Sequence, residues 1–280
     1  MKIYFLATGF GSVAKGLFVQ GTGMKKVKFP ILSVLIERDG DLVLFDTGMG
    51  TRIEQEMRSP IYWGNLFFSR CVMRTQFDPR FDALAYQLPR LGFKTSDVKD
   101  VIISHLHWDH AGGMRDFPHA RFIIGRKEWD FASSLSGVPL FKNAFVKEQF
   151  CGAGLDIELI DTDPNKHFKN FSASYDLFQD GSMVLVDLPG HSPGLMGLYL
   201  TMPSGRRFFF TGDTFYFPEG LEERTPKSAL MQHLVSEGPE AAESIEKVHR
   251  LMCSEPDLEI VGSHDYRIPG RYNLAPTYYS

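Results

Sequence analysis

The chain has 280 residues, 43% of them hydrophobic and 23% charged, a mixture that excludes a disordered or fibrous protein and provides for a substantial apolar core. Its net charge of −4 excludes a protein whose main task is gripping phosphate backbones, which needs a concentrated basic surface. Cys71, Cys151 and Cys253 are odd in number and far apart, so they predict neither a disulfide framework nor a cysteine-based zinc module, and they fit a reducing, cytoplasmic compartment.

The first apolar run, Ile3 to Phe10, is short and broken by Thr8 and Gly9, which favours an opening β-strand over a signal peptide. Runs rich in β-branched and aromatic residues then recur at Ile31 to Glu37, Asp41 to Asp46, Asp100 to Ser104, Arg121 to Gly125, Asp156 to Asp161, Ser182 to Asp187, Leu195 to Thr201, Arg207 to Thr211 and Leu258 to Gly262. All read as strands. The first two of these are joined across Arg38-Asp39-Gly40, whose glycine can supply the positive φ of a tight hairpin. Helical patterning is plainest at Pro239 to Cys253, where Ala241, Ile245, Val248 and Met252 share one face and Pro239 suits a first turn. Weaker helical periodicity marks Phe81 to Leu91, Arg126 to Leu135, Phe141 to Phe150 and Lys227 to Leu234. Strands in consecutive groups separated by helices predict an α/β protein with two sheets flanked by helices. No linker, repeat or break in composition divides the chain, so one domain over 1–280 is expected, with room for a helical cap within 126–181. No window approaches the ~20 apolar residues of a membrane span.

Directly after the apolar run Val101-Ile102-Ile103 and Ser104, residues 105 to 110 read His-Leu-His-Trp-Asp-His. A buried strand thus ends in a loop crowded with imidazole and carboxylate groups, the ligands of Zn²⁺ and related divalent ions. In an extended segment His105 and His107 point to the same side, while Asp109 and His110, past the turn, can reach a second point. Two metal positions are therefore expected. His119, His167, His233 and His249 lack clustered partners and read as solvated surface residues.

The segment resembles the His-x-His-x-Asp-His signature of the metallo-β-lactamase superfamily, and the rest of that family's pattern can be followed along the chain. Pro189-Gly190-His191-Ser192-Pro193-Gly194, Thr211-Gly212-Asp213-Thr214 and Ser263-His264-Asp265 each follow a predicted strand, and Phe45-Asp46-Thr47-Gly48 resembles the early turn that supports the site from behind its ligands. The resemblance implies an αββα sandwich with a dinuclear metal site at one edge. One ion would take His105, His107 and His191, the other Asp109, His110 and His264, with Asp213 bridging. The ions would be two divalent cations, Zn²⁺ by preference, with Fe²⁺, Mn²⁺ or Co²⁺ also compatible with mixed nitrogen and oxygen ligands.

Such a pair can share a water and polarise a carbonyl or phosphoryl oxygen, which points to a hydrolase attacking with a metal-bridging hydroxide. The di-iron redox relatives tend to carry a carboxylate where this chain has His107, and an attached flavin domain. Three residues after Asp213 stands Tyr216, and the N-acyl-homoserine lactone lactonases are similar at that offset. They are also similar at Lys28-Phe29-Pro30 and in the 189–194 loop. Tyr216 is thus either a donor to the lactone carbonyl or a packed member of Phe215-Tyr216-Phe217. The resemblance implies opening of a lactone ester ring, with Asp109 returning a proton to the leaving group and a small lactone or ester as the partner. Neither nucleic acid nor a membrane span is expected, and the chain would be a monomer or homodimer. A thioesterase of the glyoxalase II type is the alternative inside the fold; it usually adds a basic helical region, whereas sixteen residues follow His264. A metal-binding regulatory protein is the non-enzymatic alternative. The aromatic segment Ile61 to Phe68 suits core packing, an acyl-chain pocket or lid, or a dimer contact.

Overall fold

Ile3 and Phe5 point to one face of the first strand and Tyr4 and Leu6 to the other, and all four are buried. The same holds across the chain: Phe208 and Phe210 join one apolar cluster while Phe209, between them, joins another. Sheets buried on both faces give the near-continuous apolar runs seen in the sequence. In a computed structural model, which describes residues 1–152, 154–234 and 238–280 and all their side chains except those of Phe141, His233 and Leu234, these strands form two sheets.

The first sheet has six strands in sequence order, β1 (Lys2–Ala14), β2 (Lys26–Arg38), β3 (Asp41–Phe45), β4 (Val98–Ile103), β5 (Arg121–Gly125) and β6 (Asp156–Ile160). The second has five, β7 (Tyr175–Asp176), β8 (Met183–Asp187), β9 (Met196–Thr201), β10 (Arg207–Phe210) and β11 (Leu258–Val261), in the order β11-β10-β9-β8-β7. Ile3, Phe5, Val34, Phe45 and Ile102 from one sheet meet Leu185, Leu198, Phe208 and Phe210 from the other. Each phenylalanine fully buried there contributes about 1.5–3 kcal/mol. Helix Ala241–Ser254 covers the outer face of the second sheet through Val248 and Leu251, and short helices cover the first. The expected αββα sandwich is the observed fold.

The two-residue loop Asp39-Gly40, with φ of 52° and 93°, joins Arg38 to its partner Asp41. Both central φ values are positive, as a type I′ hairpin turn requires. β1 and β2 extend well beyond the expected Ile3–Phe10 and Ile31–Glu37. The register shift between Ala7 and Phe10 absorbs Thr8 and Gly9 opposite Ile31, and Pro30 pairs with Phe10 at its edge; Gly and Pro inside a strand are commonly found beside such a bulge. Two expected helices are broken. Phe81–Leu91 divides into Pro79–Asp82, Leu84–Gln87 and a tighter turn Leu88–Leu91, because Ala83 is extended and Pro89 cannot continue an α-helix. Phe141–Phe150 divides into Val138–Lys142 and Lys147–Phe150 around Ala144, whose φ is 55°. The Lys227–Leu234 stretch is helical from Ala229. Among the described residues no helix is long and apolar enough to cross a membrane.

Candidate metal centre

β3 runs parallel to β4, and β10 parallel to β11, while β9 lies antiparallel to both β8 and β10. The C-terminal ends of β3, β4, β8, β10 and β11 therefore collect at one edge, and the segments that leave them are 46–48, 104–110, 188–194, 211–214 and 262–265. The backbone bond from Met196 N–H to the Ser104 carbonyl, 3.0 Å, links the two sheets there. These five segments bring together every metal residue expected from the sequence.

Three overlapping groups result: His105, His107 and His191; His105, His110 and Asp213; and Asp109, His110 and His264, with the ligating atoms of each group within 4.8 Å of one another. Nε2 of His191 lies 3.0 Å from Nδ1 of His107. Asp213 stands between the halves, its Oδ1 3.3 Å from His110 Nε2 and its Oδ2 3.5 Å from His191 Nε2 and 3.1 Å from His264 Nε2. Asp109 Oδ2 lies 3.4 Å from His264 Nε2.

The outward ring nitrogens are held by neighbours, which fixes how the inward ones face the centre. Nδ1 of His110 meets Asp46 Oδ2 at 2.8 Å, Nδ1 of His264 meets the Pro30 carbonyl at 3.1 Å, and Nδ1 of His105 meets Ser104 Oγ at 3.0 Å. Asp46 also accepts from Ser104 N–H and Oγ. Its left-handed backbone, φ 59°, is a conformation that Asp tolerates better than most residues.

Among the described residues, His105 Nε2, His110 Nε2 and Asp213 Oδ1 are buried with no partner in hydrogen-bonding geometry, the 3.3 Å approach of the last two included. Groups of this kind are costly to bury without a ligand, and together with the mixed imidazole and carboxylate donors they fit divalent cations. Electrostatics divides the imidazoles. Burial, with neighbouring histidines, holds His105 well below its ordinary value, and burial brings His107 down to about 4. For His264 burial is outweighed by Asp213 and Asp109, which raise it to about 10; Asp213, Asp46 and Asp109 likewise hold His110 well above the usual range. Asp213 itself lies well below the carboxylate range, the burial penalty being overcome by His264 and His110.

Tyr216 is buried, its ring 5.5 Å from that of His191 and 6.3 Å from that of His264. Phe215 packs into the outer cluster of the second sheet, while Tyr216 and Phe217 join the helix-covered cluster on the first, so the three aromatics have different surroundings.

Two buried residues escaped the sequence reading. Glu128, fully buried in helix Arg126–Ser134, accepts from Leu106 N–H at 2.8 Å, from Gly194 N–H at 3.1 Å and from Ser192 Oγ; burial raises its pKa. A Cβ on Gly194 would stand 2.1 Å from the backbone nitrogen of Glu128, so only glycine permits this approach. Glu128 shares a helix face with buried Ala132, and a carboxylate on the apolar stripe was the available signal. Lys227 carries no such signal. Its Nζ lies 2.9 Å from His191 Nδ1 and 4.3 Å from the centre of the Tyr216 ring. Backbone bonds from Gln20 N–H to Pro226 and from Ser228 N–H to Phe18 fix its strand-like neighbours, and the Phe18 ring reaches Tyr216 at 5.1 Å.

His119 and His167 are exposed, as expected. His249 instead is half-buried, its Nδ1 3.0 Å from the Leu221 carbonyl, because its helix packs against the segment after β10; the side chain of His233 lies outside the described residues. In the aromatic segment Tyr62 is buried, whereas Trp63 and Phe67, four apart on one short helix, are 62% and 63% exposed. The three cysteines are unpaired.

Residues 27–247 match the family described as the metallo-beta-lactamase superfamily. A protein of Rhizobium radiobacter named N-acyl homoserine lactonase AttM is 26% identical over 261 residues, 93% of this chain and 91% of its own. A probable metallo-hydrolase of Mycobacterium tuberculosis, Rv2300c, is 29% identical over 86% of this chain and 76% of its own. Among solved structures, an N-acyl homoserine lactone hydrolase with the product N-hexanoyl-L-homoserine bound at its catalytic metal centre superposes with a TM-score of 0.75 at 24% identity, covering 99% of this chain and 98% of the other.

Proposed function

Because the chain belongs to the metallo-beta-lactamase superfamily, we propose that it is a metal-dependent hydrolase that opens the ester ring of lactones, with N-acyl-homoserine lactones as the substrate class. The convergence of the ligand residues from five strand-end segments, with Tyr216 against both halves of the cluster, carries this reading. The relatives named as lactonases over nearly the whole chain support the choice of substrate.

His105, His107 and His191 would hold one divalent ion and Asp109, His110 and His264 the other, with Asp213 shared. Zn²⁺ suits these donors, as do Fe²⁺, Mn²⁺ and Co²⁺. Such ions supply Lewis acidity toward a carbonyl oxygen and toward water. Tyr216 donates its phenol hydrogen to the lactone carbonyl oxygen and to the negative charge that develops there. Asp109, buried and held below the carboxylate range by His110 and His264 against the burial penalty, takes up the proton released by water and passes it to the leaving alkoxide.

The test is a metal analysis followed by hydrolysis of acyl-homoserine lactones, other lactones, thioesters and phosphodiesters by the loaded protein. Preference for acyl-homoserine lactones is the expected result. A loaded protein without lactone hydrolysis overturns the reading.

Metal uptake carries its own signature. In the metal-free protein His264, raised to about 10, holds a proton above neutrality, and His110 is shifted in the same direction, whereas metal ligation requires neutral imidazole. At pH 8, Zn²⁺ addition should therefore release protons, at least about one per chain from His264, detectable with an indicator dye in weak buffer. The same shifts bear on the metal-free fold. A His264 raised to about 10 contributes stability that is present below pH ~6.5 and lost as the pH rises through 10. Uptake without proton release would contradict these charge states.

A further inference from the structure

Glu128 touches two of the segments that carry ligands and leaves the others alone. Leu106, whose N–H it accepts, lies between His105 and His107; Ser192 adjoins His191, and Gly194 closes the same turn. The histidines that flank Leu106 and the one that precedes Ser192 are the three-histidine group, although the segment of Leu106 goes on to Asp109 and His110. On the other side, His110 is supported by Asp46 and His264 by the Pro30 carbonyl. Asp46 reaches both halves, since Ser104, which it holds, also touches His105. Among the described residues, Glu128 makes no hydrogen bond to a residue adjoining His110, Asp213 or His264.

We infer that Glu128 is a positioning residue for one metal position only, the one formed by His105, His107 and His191, and that the affinities of the two positions can be changed separately. The inference rests on the dinuclear reading given above. Its physical basis is directional. A buried carboxylate offers only acceptors, and here its hydrogen-bond donors are uncharged and come from two loops that are far apart in sequence. Glutamine has the same shape but replaces one oxygen with an amide nitrogen. Placed either way, that nitrogen confronts a backbone N–H, of Leu106 or of Gly194, and the spacing between the two histidine loops relaxes. The packing that carries Asp109, His110 and His264 retains its own supports.

The experiment compares the whole protein with Glu128→Gln and Ser192→Ala. Each is stripped with a chelator, titrated with Co²⁺, and followed by visible absorption and by metal analysis after gel filtration, with circular dichroism as the control for folding. In the parent protein two equivalents are expected. In Glu128→Gln one equivalent should weaken by about 10–100-fold, the usual range for losing a support behind a ligand, while the other keeps its affinity and spectrum. Ser192→Ala removes one of the three donors and should weaken the same equivalent by less; should Glu128→Gln fail to fold, Ser192→Ala decides by the same criterion. Equal weakening of both equivalents, or of neither, overturns the inference. A parent protein that binds a single equivalent instead overturns the dinuclear reading, and the two failures are thereby told apart.

Discussion

Replacing Asp213 with asparagine should lower kcat/KM for the preferred lactone by about a thousandfold, or roughly 4 kcal/mol of lost transition-state stabilisation. The Asp213 carboxylate lies within 3.5 Å of His110, His191 and His264 alike. Its charge is also the leading cause that keeps His264 up at about 10 against burial. Asparagine preserves the shape and one oxygen, but it removes the charge that would offset two divalent ions and presents an amide hydrogen to imidazoles that would ligate them. Metal content and kinetics should fall together, and the His264 pKa in the metal-free protein, followed by NMR, should drop. Turnover within about threefold of the parent would show that Asp213 is not central to the site.

Tyr216→Phe should behave differently. The phenyl ring keeps the edge contacts with Phe18 and His191 and the Lys227 ammonium 4.3 Å from its centre, so the fold and metal content should stay as they are. On the proposed reading, what is lost is one hydrogen-bond donor to developing charge. Such a loss typically costs about 100–1,000-fold in kcat. Metal analysis and saturation kinetics on one preparation measure both quantities. A variant with normal metal content and turnover within about twofold would assign Tyr216 to packing alone, the other role its aromatic neighbours suggest.

The ligand residues were legible because each follows a strand buried on both faces, and such strands stand out as unbroken apolar runs. His191, Asp213 and His264 follow Met183–Asp187, Arg207–Phe210 and Leu258–Val261, and resemblance to the family's pattern singled them out in that context. The region from Ile53 to Leu91 was not legible. Its helices are four or five residues long, too short to show a period, and they owe their stability to packing more than to propensity. Glu128 reverses a general rule, since a charged residue on a helix is read as solvent-facing until its partners are known. For Lys227 the decisive neighbours, His191 and Tyr216, meet it only through tertiary structure.

The hairpin turn at Asp39-Gly40 has a practical use. It sits at the opposite end of β3 from Asp46, roughly 20 Å away at 3.3–3.4 Å per residue. The Asp39 side chain is 86% exposed, and a Cβ built on Gly40 meets nothing within 4 Å. A linker, dye or solid support attached there would be anchored to a rigid strand pair on the rim away from the ligand loops. The immobilised molecule would present its metal edge to the surrounding solution, an orientation set by a two-residue turn.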